Sequence, residues 1–130
     1  VISASSGITK DFLIYFRLAV AVSIPIILIV TKIDLIEDEG DQNEFLNNLY
    51  KEIKKLKSGK NLVVAKNLND VVLYSRTISE NIIPIFMVSN VTGKGLPNLI
   101  NFLDLIPWKK ENEEEITDKI KVSHKFISLI

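Results

Sequence analysis

The chain has 130 residues, of which 47% are hydrophobic, enough for one compact domain with a real core. Sixteen Lys and Arg balance sixteen Asp and Glu, so no global basic field draws nucleic acid and no net negative charge repels it. There is no cysteine, which excludes a disulfide framework and a thiolate metal site; this fits a reducing compartment and is compatible with any other.

In chain order, residues 1–4 read as the carboxyl end of a strand, broken by Ser5-Ser6-Gly7. Thr9 is the expected N-cap of a helix over 10–22, with Phe12, Leu13, Phe16, Ala19 and Val20 on its buried face. Pro25 ends that segment. The β-branched run 26–30 then reads as a central parallel strand covered on both faces. The apolar stretch 18–30 is too short for a spanning helix, which needs about 20 apolar residues, and Pro25 interrupts it. No signal peptide is legible. The chain opens without Met and is expected to be an internal stretch of a longer one.

Residues 37–40 form a polar loop. Asp41 and Glu44 are spaced as a capping box for a second helix, whose inner face holds Phe45, Leu46, Leu49, Tyr50, Ile53 and Leu56 and whose end is expected at Gly59. A short strand over 61–65 and a short helix capped by Asn69 and running to 76 follow. Residues 82–88 read as another buried strand, with Pro84 near its start. After a loop over 91–95, Leu96, Leu99, Ile100, Leu103 and Ile106 form a last amphipathic helix, ended by Pro107. Strands alternating with helices predict a three-layer α/β fold with a mostly parallel sheet, right-handed crossovers, and the three main strands as neighbours. Residues 109–115 are a charged linker, and 116–130 alternate with a slipping phase.

Ligands of open α/β sheets bind outside the carboxyl ends of the strands. Two polar clusters stand there: Thr31-Lys32-Ile33-Asp34 and Ser89-Asn90-Val91-Thr92-Gly93. A carboxylate such as Asp34 accepts a pair of hydrogen bonds, and guanine offers that pair at N1 and N2. Adenine lacks both the amine and the N1 proton. Leaving a buried polar group unpaired costs roughly 1–3 kcal/mol or more, and a site built around such a pair rejects the wrong analogue by a factor on the order of 10⁴. The stem of Lys32 can lie along the base while its ammonium reaches loop carbonyls. Ser89 can orient its loop, and the backbone N–H groups of Asn90 and Val91 can donate to the guanine carbonyl oxygen.

Thr31-Lys32-Ile33-Asp34 resembles the Asn-Lys-x-Asp base-specificity motif of GTPases, and Ser89-Asn90-Val91 resembles their Ser-Ala-x loop. The opening 4–10, followed by an apolar helix and Ile24-Pro25, looks like the stretch after the third motif of translational factors of the elongation factor Tu type. Thr31 in place of Asn, with residues 88–93, is most similar to the subgroup named after GTP-binding protein one. The resemblance covers residues 1–107, as the carboxyl-terminal half of a P-loop-GTPase-like G domain of Rossmann-like architecture. Residues 108–130 are then a linker and the start of a following β-barrel domain. The resemblance implies GTP or GDP as ligand, Mg2+ and GTP hydrolysis for a full-length parent, ribosomal or RNA partners, and a cytoplasmic place.

The departures weigh as much as the matches. No Gly-x-x-x-x-Gly-Lys-Ser/Thr phosphate loop and no Asp-x-x-Gly element occur in these residues, and Gly93-Lys94-Gly95 has the wrong spacing to substitute. Catalytic residues are therefore expected outside this chain, and the chain alone is expected to be inactive in hydrolysis and prone to self-associate through the free edge of its first strand. The rival reading is a non-catalytic α/β interaction module without a nucleotide site. Lys51, Lys54, Lys55, Lys57 and Lys60 form a basic run, read first as a solvated face and otherwise as a local contact to RNA.

Overall fold

A computed structural model describes residues 1–78 and 81–106. The linker and the following segment, with Pro107, lie outside the described residues. The elements are β1 (Ile2–Ser3), α1 (Lys10–Ala21), β2 (Leu28–Thr31), α2 (Glu39–Lys55), β3 (Asn61–Val64), α3 (Leu68–Thr77), β4 (Ile82–Met87) and α4 (Leu96–Leu105), with a 3-10 turn at Ile33–Leu35. The four strands form one all-parallel sheet in the order β1-β2-β4-β3. The three main strands are neighbours, as expected, and β3 adds an edge strand beyond them.

Residue parity along the strands divides the core into two layers. Leu28 and Val30 of β2 and Ile83 and Ile85 of β4 face Phe16 of α1 and Leu49 and Ile53 of α2. Ile29 and Phe86, one residue out of phase, face Val71 of α3 and Phe102 of α4. The Phe86 and Phe102 rings stand 4.8 Å apart in a tilted pair, worth about 0.5–1.5 kcal/mol beyond their burial. The path β1 to β2 to β3 runs one way across the sheet with its helices on one face. The return from β3 to β4 reverses direction and uses the other face, as a single hand of crossover requires.

Local signals place most element ends. The Thr9 hydroxyl accepts from the Phe12 N–H and caps α1. Several boundaries differ from expectation. Helix α2 begins at Glu39, because Asp38 accepts from the Gly40 N–H and the Gln42 amide donates to the Ile36 carbonyl; Asp41 falls in the first turn instead of capping it. The residue that turns left-handed after α2 is Lys57 (φ +50°), before Gly59 (φ +72°) is reached. Helix α3 is capped by Asn67, whose side chain accepts from the Asp70 N–H, rather than by Asn69. Strand β2 enters the ladder two residues late. The chain leaves α1 through Ser23 (φ +56°), and Pro25 has no N–H to give, so Ile26 is buried without pairing.

Gly95 caps α4 at φ +78°. A Cβ there would run into the Met87 carbonyl oxygen and approach the Val88 Cα at 3.4 Å. Gly93 has the same φ of +78° but open space around it. In urea melts, Gly93→Ala is expected to lose about 1–2 kcal/mol, the ordinary penalty of a left-handed alanine. Gly95→Ala is expected to lose distinctly more, because α4 must also move off β4. Equal losses would show that the close approach carries no weight.

Candidate guanine site

The connections from β1 and β2 pass to one face of the sheet, and those from β3 and β4 pass to the other. The chain paths therefore part between the adjacent carboxyl ends of β2 and β4. Such a switch point is where an open α/β sheet leaves a crevice. The two polar loops leave the sheet at this place.

The loops are fastened to each other. The Val88 N–H donates to the Val30 carbonyl at 2.8 Å, and the Ile33 N–H returns to the Val88 carbonyl at 3.3 Å. Ile33 is 3% exposed and anchors the 3-10 turn between the exposed Lys32 and the half-buried Asp34. Lys32 holds φ +59°, ψ +36°, a left-handed conformation that costs a non-glycine residue about 1–2 kcal/mol. The turn it starts presents Asp34 toward the second loop.

Ser89 is fully buried. Its hydroxyl donates to Asp34 Oδ1 at 2.7 Å and accepts from the Thr92 N–H at 3.2 Å. The Ser89 N–H donates to the Lys94 carbonyl, and the Gly93 N–H donates to the Ser89 carbonyl. This knot leaves Asn90 and Val91 on the outside, with Val91 83% exposed. Among the described residues no acceptor takes the backbone N–H of Asn90 or Val91. A carboxylate has about four acceptor positions, so the one bond from Ser89 leaves Asp34 able to accept more.

Of the six expected site residues, Asp34 and Ser89 are joined directly, and Lys32, Asn90 and Val91 are exposed around them. Thr31 turns elsewhere. Its hydroxyl donates to the Ile2 carbonyl at 3.4 Å, tying the first loop to β1. Thr92, named in the second polar cluster but given no role there, supplies one N–H to Ser89 and accepts at Oγ1 from the Lys94 N–H at 3.2 Å. A cavity of about 820 Å³ abuts the same loops through Ile33, Lys94 and Gly95 but is lined by none of the six.

The profile of the elongation factor Tu GTP binding domain matches residues 1–107. GTP-binding protein 1 of Xenopus laevis is 36% identical over 110 residues, covering 84% of this chain and 16% of that protein. GTP-binding protein 2 of Homo sapiens is 27% identical over 116 residues, covering 88% of this chain and 19% of that protein; the Mus musculus protein of the same name is 26% identical over the same length. The chain thus spans less than a fifth of these relatives. No solved structure matches it. With the family profile spanning most of the chain and an all-parallel sheet that parts at the two loops, the chain belongs to the elongation factor Tu GTP-binding domain family.

Proposed function

We propose that this chain is the guanine-reading part of a translational GTPase, with base choice made by Asp34. The observation that carries this reading is the 2.7 Å bond from the Ser89 hydroxyl to Asp34, which joins the two loops at the sheet's switch point. Asp34 accepts hydrogen bonds from the N1–H and the N2 amine of guanine. The N–H groups of Asn90 and Val91 give hydrogen bonds to the guanine carbonyl oxygen, and the Lys32 stem covers one side of the base. Thr31 holds the first loop in place through β1.

The parent protein binds and hydrolyses GTP by attack of water on the γ-phosphate. The groups for that step, with the phosphate loop and the Mg2+ ligands, belong to sequence outside these 130 residues. For work in the cytoplasm on translation, with ribosomal or RNA partners, the support is the family resemblance alone. No described helix is long and apolar enough to cross a membrane. The rival reading, an interaction module without a nucleotide site, has no comparable observation in its favour.

Three outcomes are expected. By calorimetry the chain binds GDP weakly and ADP more weakly still, and shows no hydrolysis of GTP; equal affinity for the two nucleotides would remove the role given to Asp34. Asp34→Asn shifts preference from GDP toward xanthosine diphosphate, because an amide N–H meets the carbonyl that xanthine carries in place of the guanine amine; competition binding reads this directly. The outer side of β1, at the edge of the sheet, pairs with a second copy, so sedimentation finds dimers or larger species. A monodisperse monomer that melts cooperatively would contradict the last.

A further inference from the structure

Helix α2 is strongly polarised. Glu37, Asp38, Glu39, Asp41 and Glu44 crowd its start, and Lys51, Lys54, Lys55, Lys57 and Lys60 crowd its end. Charges in this sense complement the helix dipole, but the dipole acts only within the last turn. Lys57 and Lys60 lie beyond the helix, which ends at Lys55. Residues 51–60 hold five lysines against one acid, Glu52. That acid is engaged by Lys55 at 2.9 Å, the one ion pair among the described residues. Lys51, Lys54, Lys57 and Lys60 thus keep their charge without an acidic partner there.

Three of these lysines border a hollow of about 570 Å³. Lys54, Lys57 and Lys60 form its charged rim, half-buried Tyr50 stands at one side, and Ser58 and Asn61 add neutral polar groups. The left-handed backbone at Lys57 and Gly59 folds the chain around it. The hollow lies at the amino end of β3, whereas the guanine loops follow the carboxyl ends of β2 and β4 in the same parallel sheet. It is a separate surface.

We propose that this hollow is a contact for single-stranded RNA. Phosphates of the backbone meet Lys54, Lys57 and Lys60, a base rests on the Tyr50 ring, and Ser58 and Asn61 face the ribose hydroxyls. A concave site with an aromatic wall suits one unstacked nucleotide; a duplex would touch only the rim. A lipid surface is a poorer fit, because the aliphatic side chains of the lining, Ile53 and Leu62, are buried and half-buried rather than exposed to enter it.

The test is fluorescence anisotropy of a labelled oligouridylate titrated with the 130-residue chain at several salt concentrations. The combined variant Lys54→Gln, Lys57→Gln, Lys60→Gln is expected to weaken binding by about tenfold or more at low salt. It should also flatten the log-affinity against log-salt slope by about 2, three contacts at about 0.7 each. A matched variant, Lys10→Gln, Arg17→Gln, Lys66→Gln, loses the same charge elsewhere and should retain most of the affinity. Arginine at the three hollow positions should retain binding, which separates lost charge from lost fold. Equal weakening by both glutamine variants would overturn the site. So would tighter binding to phosphatidylserine vesicles than to RNA, while equal binding of oligothymidylate would overturn the choice of RNA. GDP affinity, measured in parallel, is expected to be unchanged in the hollow variant, so failure here is distinguishable from failure of the guanine reading.

Discussion

The pairing of β2 with β4 is the constraint on which the rest depends. Leu28, Ile29 and Val30 lie opposite Ile85, Phe86 and Met87, and both strands are covered on two faces. Because the strands are parallel, their carboxyl ends fall side by side. Because their following helices go to opposite faces, the ends are left uncovered. Two loops separated by more than fifty residues of chain meet there without any long-range signal in either loop. The Val88 N–H to Val30 carbonyl bond carries the pairing one residue past the end of β4, so the position of Ser89 is set by the sheet and not by the loop it begins.

Burial at the site is graded in a way that suits recognition. Ile33 and Ser89 are sunk into the domain, Asp34 is half-buried, and Lys32, Asn90 and Val91 are exposed. The parts that must not move are held by packing, while the outer ones remain open to a ligand. Lys32 keeps a strained backbone angle only because Ile33 beside it is locked in the core. On the other side, Gly95 lets α4 start directly against the Met87 carbonyl, so the second loop has no slack in which to drift.

Much of this was legible in the residues. The run 26–30, bounded by Pro25, and the run 82–88, with Pro84 near its start, announced central strands through length and apolar, partly β-branched content, and the alternation of faces follows from a period of two. Thr9 announced α1. The two misplaced helix starts have one cause: short polar side chains cap locally, and several stand within a few residues of one another. Asp41 and Asn69 were the expected caps, and in each case a short polar side chain a few residues upstream, Asp38 or Asn67, accepts the first-turn N–H instead. Lys57 carried no signal at all, since nothing in a lysine marks a left-handed turn. The bond from Ser89 to Asp34 was beyond local reading, because it exists only once the sheet has brought two distant loops together. The role of Thr92 was missed for the same reason: its N–H matters only after Ser89 is buried.

Thr31 is both the last rung of β2, opposite Ser3, and the first residue of the proposed guanine loop. Its hydroxyl also grips the Ile2 carbonyl. A strand of two residues has little to fix its register, and a slip of one position would turn Ile2 out of the core. The threonine side chain opposes that slip. Alignment of the sheet's edge and placement of the proposed base-reading loop are therefore one variable: a displacement of β1 along its neighbour is felt at Lys32, and a ligand that stiffens the loop also locks the edge strand in phase.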